Sequence, residues 1–369
     1  MKIGACLIVK NEAPVILRCL KSILPIIDYV HIQDTGSTDG TQDIIRQFLL
    51  DNKISGEIVE EPWIDFSFNR TKALQQIRTI DVDYVLIIDA DEVLEYEDNF
   101  QIGAFKTSLD KDLYNVTTKN GNISYQRPQL FHNKLDFYYK GILHEFLESS
   151  ANITRGNITG FVNKPSHDGN RSQNINKFQD DAKTLEAILL VEQDPFMISR
   201  YTFYLAQSYK DCGNKQEAIK NYIKRSDLGY WQEEVYISLL NAARLTESMP
   251  LDYSEGDIIN AYIIAHEANP KRFEALHDLV RYCRLKSYND MGYRLSTNWM
   301  GDGKPKDGLF IEDWIYEYGL LFEFSILAYW VGRYEESKVS CDILLYKNIP
   351  DHIRGQVIKN RKFAEDNLK

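Results

Sequence analysis

Positive charge is the scarcer kind in this 369-residue chain, with 43 Lys and Arg against 54 Asp and Glu and a formal net charge of −11. That balance is a poor match to a bare phosphate backbone or an anionic membrane, although a local basic groove stays open. Long apolar runs are missing too. Residues 84–88 and the run 320–331, which Glu323 interrupts, fall well short of the roughly 20 residues of a bilayer span, so none is expected. No charged leader and apolar core precede the strand-like run that begins at Ile3, and the expectation is a cytoplasmic protein. Cysteine is sparse: Cys6, Cys19, Cys212, Cys283 and Cys341 are odd in number, scattered and never in a Cys-x-x-Cys pair. A disulfide framework and a zinc knuckle are therefore unsupported, and these cysteines read as small buried apolar residues. Sequons at Asn115, Asn122, Asn152 and Asn157 carry little weight without an export signal. What is present, 44% hydrophobic and 26% charged residues, is the composition of a folded protein, and the length suits two domains.

The two halves have different periods. Up to about residue 165, short β-branched runs alternate with helical stretches: strands over 3–9, 29–33, 58–59 and 84–88, and helices after Pro14 and over 39–50 and 67–78. Strand-helix alternation at this spacing predicts a parallel sheet covered on both faces, whose ligands bind beyond the carboxyl ends of the strands. From about residue 170 helix follows helix. Around Gly213 the small and aromatic residues Leu205, Ala206, Tyr209, Ala218 and Tyr222 have the spacing of a tetratricopeptide helix pair. Gly332 aligns in the same frame with Phe324, Ser325, Ala328, Ser337 and Cys341, and a fainter unit runs through Tyr262, Ala265, Leu276, Leu279 and Cys283. A plain bundle of amphipathic helices is the alternative. The expected division is an α/β domain over 1–168 and an all-α helical-repeat domain over 169–369.

Three motifs directly follow strands. Asp89-Ala90-Asp91 comes after an apolar strand, so one short turn projects two carboxylates into a cleft. Like charges this close repel unless a cation sits beside them, and a hard divalent ion, Mg²⁺ or Mn²⁺, suits an all-oxygen site that also holds a diphosphate. An acidic surface turn is the bland option, and the apolar strand in front argues against it. Asp34 ends the second strand ahead of Thr35-Gly36-Ser37-Thr38-Asp39-Gly40-Thr41, a loop whose small residues let a planar base approach the backbone while Asp34 accepts from a ring N–H such as that of uracil. A tight turn with Asp39 as helix cap explains the same residues. Lys10-Asn11-Glu12 follows the first strand, so its polar side chains face the same edge as Asp34 and Asp91. Arg70, on the helix before the fourth strand, either neutralises a leaving diphosphate, contacts the base or is a solvated helix charge.

Taken together, Cys6-Leu7-Ile8-Val9-Lys10-Asn11-Glu12, the Asp34 to Thr41 loop, Phe66-Ser67 with Arg70, and Ile88-Asp89-Ala90-Asp91-Glu92 resemble the nucleotide-sugar glycosyltransferases of family 2, with the GT-A (Rossmann-like) fold. The resemblance covers roughly the first 95 residues, and the helical tail looks like the subgroup carrying tetratricopeptide-like repeats. It implies that Asp34 reads the base, that Val9, Asn11, Glu12, Gly36, Ser37, Arg70 and Ala90 line the nucleotide-sugar pocket, and that Asp89 and Asp91 serve ribose and metal. Relatives often have Arg-Asn where this chain has Arg70-Thr71, which leaves the second position without an expected contact.

Further along, Arg127-Pro128-Gln129-Leu130-Phe131-His132 and Gly141-Ile142-Leu143-His144-Glu145 resemble the family's acceptor-side segment. An inverting transferase needs a general base to remove the acceptor's proton. Glu145 is the first choice, with His144 beside it. Asp136, Glu148 and a merely superficial Glu145 stay open. His167 either completes the metal site, as the resemblance implies, or is an exposed linker histidine. The function expected is a metal-dependent inverting transfer from a nucleotide-diphosphate sugar, UDP-linked in preference to GDP-linked, to a protein, glycan or modified nucleobase. The helical tail would supply acceptor specificity or self-association as a homo-oligomer. Two alternatives stand beside it. One is a nucleotide-binding scaffold whose tail binds a protein partner, and the crowded carboxylates argue against it. The other is a nucleotidyltransferase, which would show a basic glycine-rich loop where this chain has Lys10-Asn11-Glu12-Ala13-Pro14.

Overall fold

In the computed structural model, which describes residues 1–121, 123–297, 303–305 and 308–368, the first strand β1 (Ile3–Val9) is buried at every residue but the half-buried Ile8. Near-continuous burial means that both faces of the strand are covered. The sequon residue Asn122 lies outside the described residues. β1 pairs in parallel with β2 (Tyr29–Asp34) on one side and β4 (Tyr84–Ile87) on the other, and β3 (Ser55–Glu60) extends the sheet beyond β2. The crossovers are helical: α1 (Ile16–Ile23), α2 (Thr41–Asn52) and α3 (Phe66–Ile77). Alternate residues of the strands enter two cores. Ala5, Leu7 and Val9 pack with Ile16, Cys19, Leu20 and Ile23 of α1, while Cys6, Val85 and Ile87 pack with Ala73, Leu74 and Ile77 of α3. Each buried Ile or Leu stabilises by about 1.5–3 kcal/mol.

The parallel sheet expected from the alternating pattern runs unbroken through these four strands and stops beyond β4. After β4 come β5 (Glu92–Tyr96), α4 (Ile102–Ser108), β6 (Leu113–Asn120), β7 (Ile123–His132), the β8 (Phe137–Lys140) and β9 (Phe146–Ser149) ribbon, β10 (Arg155–Asn157) and β11 (Phe161–Pro165). The sheet order is β3-β2-β1-β4-β7-β6-β11-β5, with β10 beside β6. β7 runs antiparallel to both β4 and β6. A direct hairpin, in which Asn120 pairs with Ile123 and Gly121 is left-handed at φ 57°, cannot make a parallel connection, so the sheet is mixed.

The chain forms two compact units, Met1–Ala187 and Ile188–Lys369. The first runs past the expected boundary at 168 because the 3₁₀ turn Asn170–Gln173 is bonded to the loop after β1, and α5 (Lys177–Leu189) is bonded to that turn through Asp181 and Arg171. The Asn170 N–H donates to Glu12, and the Arg171 guanidinium lies 4.5 Å from the Phe66 ring.

The second unit is helical: α6 (Pro195–Asp211), α7 (Lys215–Ser226), α8 (Gln232–Glu247), α9 (Glu255–Ala268), α10 (Glu274–Leu285), α11 (Asn289–Ser296), α12 (Leu320–Trp330), α13 (Tyr334–Tyr346) and α14 (Asp351–Asp366), each packed on the next. The two turns expected to be equivalent are so in detail. Gly213 (φ 86°) and Gly332 (φ 75°) are left-handed, and the following N–H of Asn214 or Arg333 bonds back to Tyr209 or Ala328 at 2.8 Å. The repeat residues Ala206, Ala218, Tyr222, Ser325, Ala328, Ser337 and Cys341 are all fully buried. Glu323, the charge inside the apolar run, is buried and held by Arg284 at 2.6 Å. Among the described residues no helix is long and apolar enough to cross a membrane.

Candidate active site

Parallel pairing with Val9 opposite Asp34 makes the chain leave β1 and β2 side by side, so the two loops that follow can bond to each other. Asn11 turns in the left-handed region (φ 57°), which asparagine tolerates better than most residues. Its N–H donates to Ser37 Oγ (2.9 Å) and its Oδ1 accepts from the Thr38 N–H (2.8 Å). The Glu12 N–H donates to Thr41 Oγ1 (2.8 Å) and the Ala13 N–H to Asp39 Oδ2 (3.0 Å). Asp39 therefore ties the loops together as well as accepting from the Thr41 N–H at the start of α2. Asp34 Oδ1 accepts from the N–H groups of Gly36 (2.8 Å) and Ser37 (2.7 Å), while Oδ2 is buried without a partner.

Beside this frame is a cleft of about 730 Å³, walled by Val9, Lys10, Glu12, Thr35, Trp63 and Phe66. The Trp63 and Phe66 rings meet edge to face with centroids 4.7 Å apart. Of the expected pocket residues, Val9 and Glu12 face this cleft. Asn11, Asp34, Gly36 and Ser37 form the bonded frame and do not line it.

A second cavity of about 500 Å³ shares Ile8, Glu12, Phe66 and Arg171 with the first, and it brings together Arg70, Asp89, Ala90, Asp91, His144, Glu145 and His167. Arg70 is no solvated helix charge: it projects from the buried side of α3 and is 8% exposed. Its Nη2 donates to Asp89 Oδ1 and its Nε to Glu145 Oε1, both at 2.6 Å. Arg127, from β7, donates to Asp89 Oδ2 (3.0 Å) and to the buried Glu92. The result is a continuous chain, Glu92–Arg127–Asp89–Arg70–Glu145. Burial pushes the Asp89 carboxyl up, but the Arg70 and Arg127 guanidinium groups outweigh it and hold the group well below the usual carboxylate range. Burial dominates at Glu92 and raises it despite Arg127.

Residues 5–102 match the profile described as glycosyl transferase family 2. The first unit carries a family 2 glycosyltransferase domain. Over 157 residues the chain is 29% identical to a TPR repeat-containing protein of Synechococcus elongatus, a match spanning 40% of this chain and 36% of that relative. It is 24% identical over 235 residues to an uncharacterized glycosyltransferase of Rickettsia felis, covering 62% of this chain and 77% of the other. Among solved structures, residues 1–349 of S. aureus TarS superpose with a TM-score of 0.36 at 15% identity, over 73% of this chain and 92% of that one, too distant a fit to argue from.

Within the glycosyltransferase domain the crowded carboxylates are not the expected pair. Asp89 is neutralised by two arginines, whereas Asp91 and Glu12 both approach Gly169, where a Cβ would come within 3.2 Å of an oxygen of each. Burial, added to by repulsion from Asp91, Asp39 and Asp89, pushes Glu12 up to about 7, although it accepts the Asn170 N–H. Among the described residues no three His, Cys, Asp or Glu side chains are arranged to hold a metal ion. With both Asp89 oxygens committed to guanidinium groups, Asp91, with His167 on the same cavity wall, could hold a cation only if water or a ligand completed its shell. Mg²⁺ is commonly bound in that way.

Glu145 sits in the loop between β8 and β9, directly before β9, and its side chain is 11% exposed. The other two candidate bases are elsewhere: Asp136 is paired with Arg78 at the surface, Glu148 accepts from Tyr138, and neither faces the cavity. His144 and His167 are exposed and left-handed, at φ 53° and 55°. Sequence reasoning gave no role to Arg127, Glu92 or Arg171. A charged residue inside the β7 run was a visible signal for Arg127, and nothing in the sequence marks Arg171.

Proposed function

We propose that this chain is a metal-dependent, inverting glycosyltransferase that uses a nucleotide-diphosphate sugar, UDP-linked in preference to GDP-linked. The observation that carries the reading is the cavity where the ends of β1 and β4 and the loop before β9 bring Glu12, Asp91 and Glu145 together, within a domain whose residues 5–102 match the family 2 profile. The aromatic cleft holds the base and ribose, and the buried, unpartnered Asp34 Oδ2, one residue from Thr35 on the cleft wall, supports a ring N–H donor.

In the mechanism proposed, Asp91 and His167 hold Mn²⁺ or Mg²⁺, which when bound supplies charge stabilisation to the departing diphosphate. Arg70 fixes Glu145 against the cavity by the 2.6 Å bond to Oε1, which leaves Oε2 to take the acceptor's proton. Displacement is direct: the acceptor oxygen bonds the anomeric carbon as the bond to the diphosphate breaks, and the acceptor proton moves to Glu145. His144 contacts the acceptor from the same loop. The acceptor is a protein, a glycan or a modified nucleobase, and the helical unit either selects it or self-associates. Five cysteines that are all free support a reducing, cytosolic setting.

A thermal-shift panel of UDP, GDP, CDP and dTDP, each with and without Mn²⁺, tests the donor class. A ligand at 100 times its dissociation constant adds about 2.7 kcal/mol. Stabilisation by UDP with metal that is lost in Asp91→Ala is the expected result, and silence from every nucleotide would refute the transferase reading.

A further inference from the structure

The second cavity is overloaded with acid. Glu12, Asp89, Asp91, Glu92, Glu145 and Asp181 all line it, and its two innermost cations are spent. Arg70 and Arg127 bond Asp89, Glu92 and Glu145, three carboxylates to two guanidinium groups. Neither has charge to spare for an incoming dianion. Two further cations line the same cavity, and both come from the segment that follows the sheet. Arg171, in the 3₁₀ turn, stacks 4.5 Å from the Phe66 ring and is steadied through Nη2 by Asp181 Oδ1 at 2.6 Å, with its side chain still 42% exposed. Lys177, the first residue of α5, has no carboxylate partner among the described residues, and its Nζ lies 5.3 Å from the Phe178 ring. Arg171 also lines the aromatic cleft, so it stands on the wall common to that cleft and the acidic cavity. A nucleoside diphosphate with its base in the cleft and its sugar near Glu145 must pass that wall.

We propose that Arg171 and Lys177 are the protein's own cations for the donor's diphosphate, supplied by the segment outside the family-matched residues. The proposal rests on the nucleotide-sugar reading above. It predicts a division of labour: Arg70 and Arg127 hold carboxylates in place, while Arg171 and Lys177 meet the ligand's charge. The guanidinium is preorganised for that task by its stack and by Asp181, which hold it without burying it.

The test is calorimetric titration of the full chain with UDP and with uridine, in Mg²⁺ throughout, with GDP and guanosine run beside them. In the wild type the diphosphate should bind well over tenfold more tightly than its nucleoside. Arg171→Gln and Lys177→Gln should each weaken UDP about tenfold and leave uridine within twofold, while Arg171→Lys recovers part of the loss. Lys183→Gln, farther along α5 and outside the cavity, should change neither. If both variants keep the wild-type preference for diphosphate over nucleoside, or if uridine weakens in parallel with UDP so that the segment acts only as scaffold, the proposal is overturned. A wild type that binds none of the four ligands sinks the nucleotide-sugar reading itself, an outcome read without any variant. Melting curves of each variant confirm that both units are folded before titration.

Discussion

Replacing Arg127 by Gln isolates a cavity residue to which the sequence pattern assigns no role of its own. The Glu92 side chain is 4% exposed and pairs with Arg127, and burial already holds its carboxyl above the ordinary value of 4.5. Removing the guanidinium leaves a buried carboxylate next to Asp89, a change that costs about 3–5 kcal/mol in comparable buried pairs. For a unit of this size the α/β melting transition should fall by about 6–20 °C at pH 8. The sign with pH follows from linkage. In the variant the folded-state pKa of Glu92 is raised further, so the native state binds a proton that the unfolded chain has already released. Stability is then highest below pH 4.5 and drops by up to about 1.4 kcal/mol per unit as pH rises toward the new folded value. The deficit relative to wild type should therefore be large at pH 8 and small near pH 5. Arg127→Gln/Glu92→Gln should regain most of the loss, since the buried charge at Glu92 is gone and Asp89 keeps its bond to Arg70. Scanning calorimetry from pH 5 to 8, with hydrogen exchange assigning transitions to units, measures all of this. A loss below about 1 kcal/mol at pH 8, or one that does not change with pH, would refute the reasoning.

Other perturbations separate the two acids of the Asp-Ala-Asp turn. Asp91→Asn should leave melting within about 2 °C while lowering transfer at least 100-fold and removing the response to Mn²⁺, as read by donor turnover. Asp89→Asn should instead destabilise by about 2–3 kcal/mol at pH 7. Because the folded-state pKa of Asp89 is depressed, its contribution is present above the ordinary value of 3.8 and lost as pH falls through the folded one, so the variant's deficit should vanish on strong acidification. In the helical unit, Gly213→Ala and Gly332→Ala should each cost about 1–2 kcal/mol in denaturant unfolding, through backbone strain alone, since a Cβ at either turn would meet nothing within 4 Å. Iodoacetamide on the native chain should label the half-buried Cys212 first, with mass spectrometry finding Cys6, Cys19, Cys283 and Cys341 protected; burial pushes Cys6 up to about 12 and Cys283 and Cys341 up to about 11.

The features legible in the sequence were those carried by local pattern. The apolar runs of β1, β2 and β4 announce strands buried on both faces, and the motifs directly after them stand at one sheet edge because parallel strands share it. The paired turns at Gly213 and Gly332 were readable because a left-handed turn demands glycine and the spacing of small residues on either side repeats. The mixed half of the sheet was not readable. Apart from β6 and β7 its strands are short, and their order depends on pairings such as Phe161 with Tyr96 that are remote in sequence. The site divides in the same way. Motif residues on one strand end could be grouped, but which carboxylate meets which guanidinium depends on β7 lying beside β4, a fact of the tertiary fold alone.

That dependence explains why two aspartates with one residue between them behave as opposites. Asp89 leaves β4 on the side where β7 and α3 each present a guanidinium, so its charge is cancelled twice over and it serves to fix Arg70 and Arg127. Asp91, two residues on, has turned toward Gly169 and Glu12, where among the described residues no cation is bonded to it and where burial, with repulsion from Asp91 added, lifts Glu12 to about 7. An Asp-x-Asp turn is thus two sites in two electrostatic fields. Two guanidinium groups already settle the first, and in the proposed mechanism it is the second that would take the cation and the diphosphate. The spacing in the sequence, which suggests a matched pair of ligands, is the consequence of a turn that separates them.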